Sequence, residues 1–115
     1  MKLNKIIECL EKWAPPILQE EYDNSGLLIG NKTNDINSIM VTLDCTEDIL
    51  DEAIKKKCNL IISHHPVIFK SINKLNGSNS TERFIIKSIK NDISVYCLHT
   101  NLDNIITGVN KKIAI

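Results

Sequence analysis

The chain has 115 residues, 43% hydrophobic and 24% charged, with 14 basic side chains against 14 acidic ones and a net charge of zero. That length suits one domain with a modest core, and the composition is that of a globular protein. Without a basic field, an acidic tail or a long apolar N-terminal run, neither nucleic acid nor a membrane is an expected partner, and a cytoplasmic location is expected.

In chain order, Asn4 is placed to cap a helix over Lys5 to Trp13, with Ile6, Ile7, Leu10 and Trp13 on its apolar side and Pro15-Pro16 ending it. Gly26 to Gly30 reads as a short glycine-bracketed strand, 31 to 37 as a polar turn, and Ile39 to Leu43 as a second strand. Thr46 caps a helix that turns Ile49, Leu50, Ala53 and Ile54 inward, and Lys55-Lys56-Lys57 forms its solvated basic end. A β-branched run at Leu60-Ile61-Ile62 is a buried strand closed by Pro66, and Lys70 to Ser80 is a loop. Asn79 and Glu82 form a capping pair for a helix through Lys90, with Phe84, Ile85, Ser88 and Ile89 on its inner side. Ile93 to Leu98 is the fourth strand, and Gly108 to Ile115 begins another helix. Trp13, Tyr22, Phe69 and Phe84 are assigned to the core.

This alternation implies an α/β fold: a mainly parallel sheet with helices on both faces, part of a larger layered α/β fold. Right-handed crossovers then bring the C-terminal ends of the second, third and fourth strands to one edge, where open α/β sheets build their sites. The residues at those ends are Asp44, then His64-His65, then His99-Thr100-Asn101-Leu102-Asp103.

Two imidazoles and a carboxylate are the start of a transition-metal site. Neighbouring residues of a regular strand face opposite ways. Either the turn at Pro66 swings His64 and His65 together, or each serves its own ion in a pair about 3.5–4 Å apart. His99 is either a ligand or a group that hydrogen-bonds to one. Plainer readings compete: paired histidines as polar surface, Asp103 as a helix cap, and Asp44 as a turn residue before Thr46. Three ligands do not complete two ions.

Cys9, Cys45, Cys58 and Cys97 form no Cys-x-x-Cys pair and are expected to be reduced, buried, small hydrophobes, with Cys45, after Asp44 at a strand end, the one near the site and the one candidate for a chemical role. Arg83 is the single arginine, which argues against an arginine clamp on phosphate.

The phrases Asp23-Asn-Ser-Gly-Leu-Leu-Ile-Gly30, Thr42-Leu-Asp44, Ile61-Ile-Ser-His-His-Pro-Val-Ile-Phe69 and His99-Thr-Asn-Leu-Asp103, in that order, resemble the N-terminal half of the NGG-interacting-factor-three-like proteins. These are also called GTP cyclohydrolase I type two homologues. The resemblance runs from Trp13 to Asn110. It implies a dinuclear centre of divalent zinc, iron or manganese, with His64 and His65 on different ions and Asp103 as a ligand; His99 and Asp44, from the reading of the residues, are candidates to support the ligands. It further implies a metal-dependent hydrolase acting on a small, nucleotide-like substrate and assembling as a homo-oligomer. The family's remaining ligands, a His-x-x-x-Glu pair, do not follow Asp103. Residues 1–115 are therefore expected to be a single α/β domain, the N-terminal half of a longer metal-binding fold, with a site incomplete in this chain. The alternative is a non-catalytic metal-binding or protein-interaction module. Ile105, Ile106, Val109, Ile113 and Ile115 are expected to form an apolar patch that favours self-association.

Overall fold

The computed structural model describes residues 1–13, 26–68 and 72–98. Expectations for the Trp13 side chain, Tyr22, Phe69, His99, Asp103 and the final helix with its isoleucines fall outside these residues. The element order is α1 (Leu3–Trp13), β1 (Gly26–Ile29), β2 (Ile39–Thr42), α2 (Glu47–Lys55), β3 (Leu60–Ser63), α3 (Ser80–Lys90) and β4 (Ser94–Cys97).

The four strands form one sheet in the order β1-β4-β3-β2. Strands β2, β3 and β4 run parallel, with Thr42 opposite Ser63 and Ser63 opposite Cys97. Their C-terminal ends therefore share a rim, as the alternation of elements implies. Strand β1 is antiparallel to β4, and a register irregularity lies between Leu27 and Ile29.

Side-chain alternation divides the core in two. Ile61 and Val95 face α2 and α3, where Ile29, Leu50, Ala53, Phe84, Ile85 and Ile93 join them in one buried cluster. Leu60 and Tyr96, one residue out of phase, face α1 and pack with Leu3, Ile7, Ile36 and Leu98. Helices thus cover both faces. Burial pushes the Tyr96 phenol up to about 12, with the charges of Glu11 and Cys97 adding to it. Its hydroxyl has no hydrogen-bond partner among the described residues.

Local chemistry explains the helix ends. Thr46 Oγ1 accepts the Ile49 N–H at 3.2 Å, and Asn79 Oδ1 accepts the Glu82 N–H at 2.8 Å, so both predicted caps are in place. Glu82 does not return the bond as in a capping box; its Oε1 accepts from the Asn76 N–H at 3.0 Å and pins the preceding loop. Helix α1 starts earlier than Asn4 would set it. Its first donors are satisfied by tertiary partners, Leu3 N–H by the Asn34 carbonyl at 2.8 Å and Asn4 N–H by that of Lys32 at 2.9 Å.

Two assignments of the buried side need correction. The inner stripe of α3 runs through Phe84, Ile85 and Ser88, the last bonding its hydroxyl to the Ile85 carbonyl, and Ile89 falls to the flank at 55% exposure. Of the four free cysteines only Cys97 is buried; Cys9 is exposed, and Cys45 and Cys58 are half-buried. Cys58 lies just past the end of α2, beyond the left-handed Lys57 (φ 59°).

Gly30 ends β1 at φ +126°, and a Cβ there would lie 2.7 Å from the Ser94 Cβ and 3.2 Å from its Cα. Ser94 is 1% exposed and has no room to retreat. Gly30→Ala is therefore expected to lose at least about 2 kcal/mol, strained backbone and overpacking acting together. Urea unfolding of the two proteins measures it; an unchanged midpoint would mean that β1 and β4 can separate without loss.

Candidate metal centre

The parallel pairing of β2 and β3 continues past the last strand residues. The His64 N–H donates to the Thr42 carbonyl at 3.2 Å and the His65 N–H to that of Leu43 at 2.9 Å. The β4 side is tied as well, through Leu98 N–H to the Ser63 carbonyl at 2.9 Å and the Cys97 thiol to the His64 carbonyl at 3.4 Å. Both histidines thus sit on a backbone anchored from two sides. Beyond Ser63 the strand breaks before Pro66, and the two rings come within 4.9 Å of each other, inclined at 64°. The two imidazoles thus lie close together at the rim.

The shared offset from the strand ends has a further result. Asp44 lies two residues past β2 and His65 two residues past β3, and His65 Nδ1 is 2.5 Å from Asp44 Oδ1. Asp44 is 59% exposed at the side chain and His65 46%. The turn role of Asp44 is present too, since its carbonyl accepts from the Thr42 hydroxyl at 3.1 Å. His64 is the more enclosed of the pair, in the half-buried class.

Sequence reasoning passed over Ser63. Its hydroxyl donates to the His65 carbonyl at 3.0 Å and so fixes the turn that carries both rings. It also hydrogen-bonds with Cys45. The signal was available, because a small hydroxylic residue interrupts an apolar strand immediately before the histidine pair. Burial pushes the Cys45 thiol up; the Ser63 bond opposes this and the Asp44 charge adds to it. A thiol held protonated is a poor nucleophile and a poor ligand.

Two clefts flank the rim. One of about 290 Å³ adjoins His64 on the α1 side and is lined by Leu10, Val41, Ile62 and Leu98 with Thr42 and Ser63. The other, of about 410 Å³, lies between the first turns of α2 and α3. Arg83 lines it but is paired with Glu47 at 3.0 Å.

His64, His65 and Asp44 therefore share one rim, whereas His99 and Asp103 lie outside the described residues. Among the described residues no three His, Cys, Asp or Glu side chains converge as a metal-binding group. The donor set fits a transition metal in kind, with imidazole nitrogen and carboxylate oxygen side by side. No helix among the described residues is long and apolar enough to cross a membrane.

Comparison with known proteins points to a family. The family model Duf34/NIF3 (NGG1p interacting factor 3) matches residues 1–115. A GTP cyclohydrolase 1 type 2 homolog of Clostridium acetobutylicum is 42% identical over 98% of this chain and 42% of its own length. One from Bacillus subtilis is 44% identical over 96% of this chain and 30% of its own. Among solved structures, a Staphylococcus aureus hypothetical protein superposes with a TM-score of 0.85 at 41% identity, covering 90% of this chain and 34% of that one. Reduced HcgD from Methanocaldococcus jannaschii superposes with a TM-score of 0.82 at 34% identity, covering 90% and 41%. The chain thus spans less than half the length of these relatives.

Proposed function

The chain belongs to the Duf34/NIF3 family, and from that membership we propose that it supplies His64, His65 and Asp103 to a centre of two divalent ions in a metal-dependent hydrolase. The observation that carries the reading is the pair of imidazoles 4.9 Å apart on an anchored rim, beside a carboxylate. Zinc, iron and manganese all accept such donors. When bound, such ions supply Lewis-acid charge to a reacting water or carbonyl.

The residues of this chain have separate tasks in the proposal. His64 and His65 provide neutral nitrogen donors, and Asp103 provides charge. The strand ends of β2 and β3 hold the donors rigidly, as a site on regular elements should. The apolar cleft beside His64 offers a substrate a surface that excludes water. A small nucleotide-like substrate is the class suggested by the relatives' name, GTP cyclohydrolase 1 type 2 homolog. Self-association belongs to the proposal as well. Val41 on β2 and Leu43 just past its end are 77% and 59% exposed, the kind of apolar surface that association covers.

The chain spans 42% of the Clostridium acetobutylicum relative, so ligands from outside these 115 residues are part of the expectation. The test is calorimetry with zinc and manganese on this chain, followed by a screen of nucleotide substrates on a protein of the relatives' full length with metal added. Metal-dependent turnover supports the hydrolase; tight metal binding without turnover favours the alternative, a non-catalytic metal-binding module. Asp103→Ala is expected to lose more metal affinity than His99→Ala, because a ligand outweighs a supporting hydrogen bond worth about 10–100-fold. Equal losses would place both residues in the ligand set.

A further inference from the structure

An imidazole can give a metal only the nitrogen that carries no proton, and the partner of the other nitrogen decides which that is. At the rim, His65 Nδ1 lies 2.5 Å from Asp44 Oδ1. An ionised carboxylate only accepts hydrogen bonds. A proton on Nε2 instead would set two lone pairs against each other at that distance. The contact is therefore an Nδ1–H···O bond, and in the neutral ring the lone pair stands on Nε2.

The backbone explains why these two residues meet. His65 N–H is bonded to the Leu43 carbonyl at 2.9 Å, the His65 carbonyl to Ser63 Oγ at 3.0 Å, and the Asp44 carbonyl to Thr42 Oγ1 at 3.1 Å. Short side chains on two tied backbones have little freedom to part. A stabilising role for the fold is a poor account of the pair. With 46% and 59% of the side chains exposed, solvent screens the attraction and little stability results.

We infer that Asp44 is a positioning residue: it holds His65 in the Nδ1–H tautomer and turns Nε2 of His65 toward the metal. The metal half of this inference rests on the function proposed above, and the tautomer half stands without it. Carboxylate partners of this kind fix the ring of a ligating histidine and raise its basicity. The assignment also separates the two histidines, since Asp44 is paired with His65.

Nitrogen-15 spectra of the metal-free 115-residue chain, labelled at histidine, test the tautomer. His65 is expected with the proton on Nδ1, and Asp44→Ala is expected to release that preference. Asp44→Asn, whose amide oxygen can still accept, should keep part of it. Zinc calorimetry tests the metal half: Asp44→Ala should weaken binding about 10–100-fold, and should cost nothing further in a His65→Ala background. A His65 proton on Nε2, or a tautomer that ignores Asp44→Ala, overturns the inference. So does an equal loss of zinc affinity with and without His65, which would mean that Asp44 acts elsewhere. An Asp44-dependent tautomer with no zinc binding, in this chain and in a protein of the relatives' full length, supports the tautomer half and removes the metal half together with the proposed metal function.

Discussion

Replacing His65 by alanine is expected to reduce zinc or manganese affinity by more than the about 10–100-fold that losing a supporting hydrogen-bond partner costs. A ligand removed from a rim with few donors has no neighbour to take its place. The variant should nonetheless fold. The side chain is 46% exposed, and the backbone bonds that order the turn, His65 N–H to Leu43 and Ser63 Oγ to the His65 carbonyl, do not use the ring. Cys58→Ala is the matched control. Cys58 bonds its N–H to the Ala53 carbonyl at the opposite, N-terminal end of β3, four strand residues away from the histidines. Its loss should leave metal affinity unchanged. Titration calorimetry of the three proteins decides the matter, and wild-type affinity in His65→Ala would take His65 out of the ligand set.

The largest effect on stability is expected at Phe84. Its ring is 1% exposed and packs in the cluster that joins α2 and α3 to the sheet through Leu50, Ala53, Ile61 and Val95. Phe84→Ala should cost about 3–5 kcal/mol, the lost transfer energy plus an unfilled cavity. A domain of this size has only about 5–15 kcal/mol in all, and the melting temperature should fall by more than about 10 °C. Ile89, five residues further along α3 and 55% exposed, provides the comparison. Ile89→Ala should stay within about 0.5 kcal/mol. Thermal melts of both variants check the pair, and equal losses would mean that the inner face of α3 is wrongly identified.

Much of the fold was legible in the residues because it is a matter of period and local chemistry. Alternation of short β-branched runs with helical patterns reveals parallel strands and the rim they share. Thr46 and Asn79 announce their helices because a cap needs only its own next three residues. The order of the phrases around Gly30, His64 and Asp103 is enough to point to the family, and the match over residues 1–115 agrees. Where sequence reading went astray, the deciding partner was distant in the chain. Helix α1 begins at Leu3 because carbonyls at 32 and 34 receive its first N–H groups. Ser88 stays on the inner side of α3 and Ile89 leaves it because the sheet, not the helical period alone, selects the inner face. Cys9 is exposed and Cys58 only half-buried against the core edge, because burial depends on neighbours that the helical pattern does not name.

At the candidate centre the division is sharpest. That His64 and His65 end a strand follows from the sequence alone, since an apolar run stops at a proline. Their convergence is a tertiary result: tied to β2 on one side and β4 on the other, the chain must turn after Ser63, and the rings swing to within 4.9 Å. The contact that Asp44 makes is likewise a product of packing. In the sequence it is an acidic residue before a helix cap, as consistent with a turn as with a site. Only the in-register pairing of β2 with β3 carries it, 21 positions away in the chain, to the imidazole of His65. Residue types determine which chemistry a chain can do, because donors and charges are local properties. Which of them meet is decided by strand register, because distance along the chain says nothing about distance across a sheet.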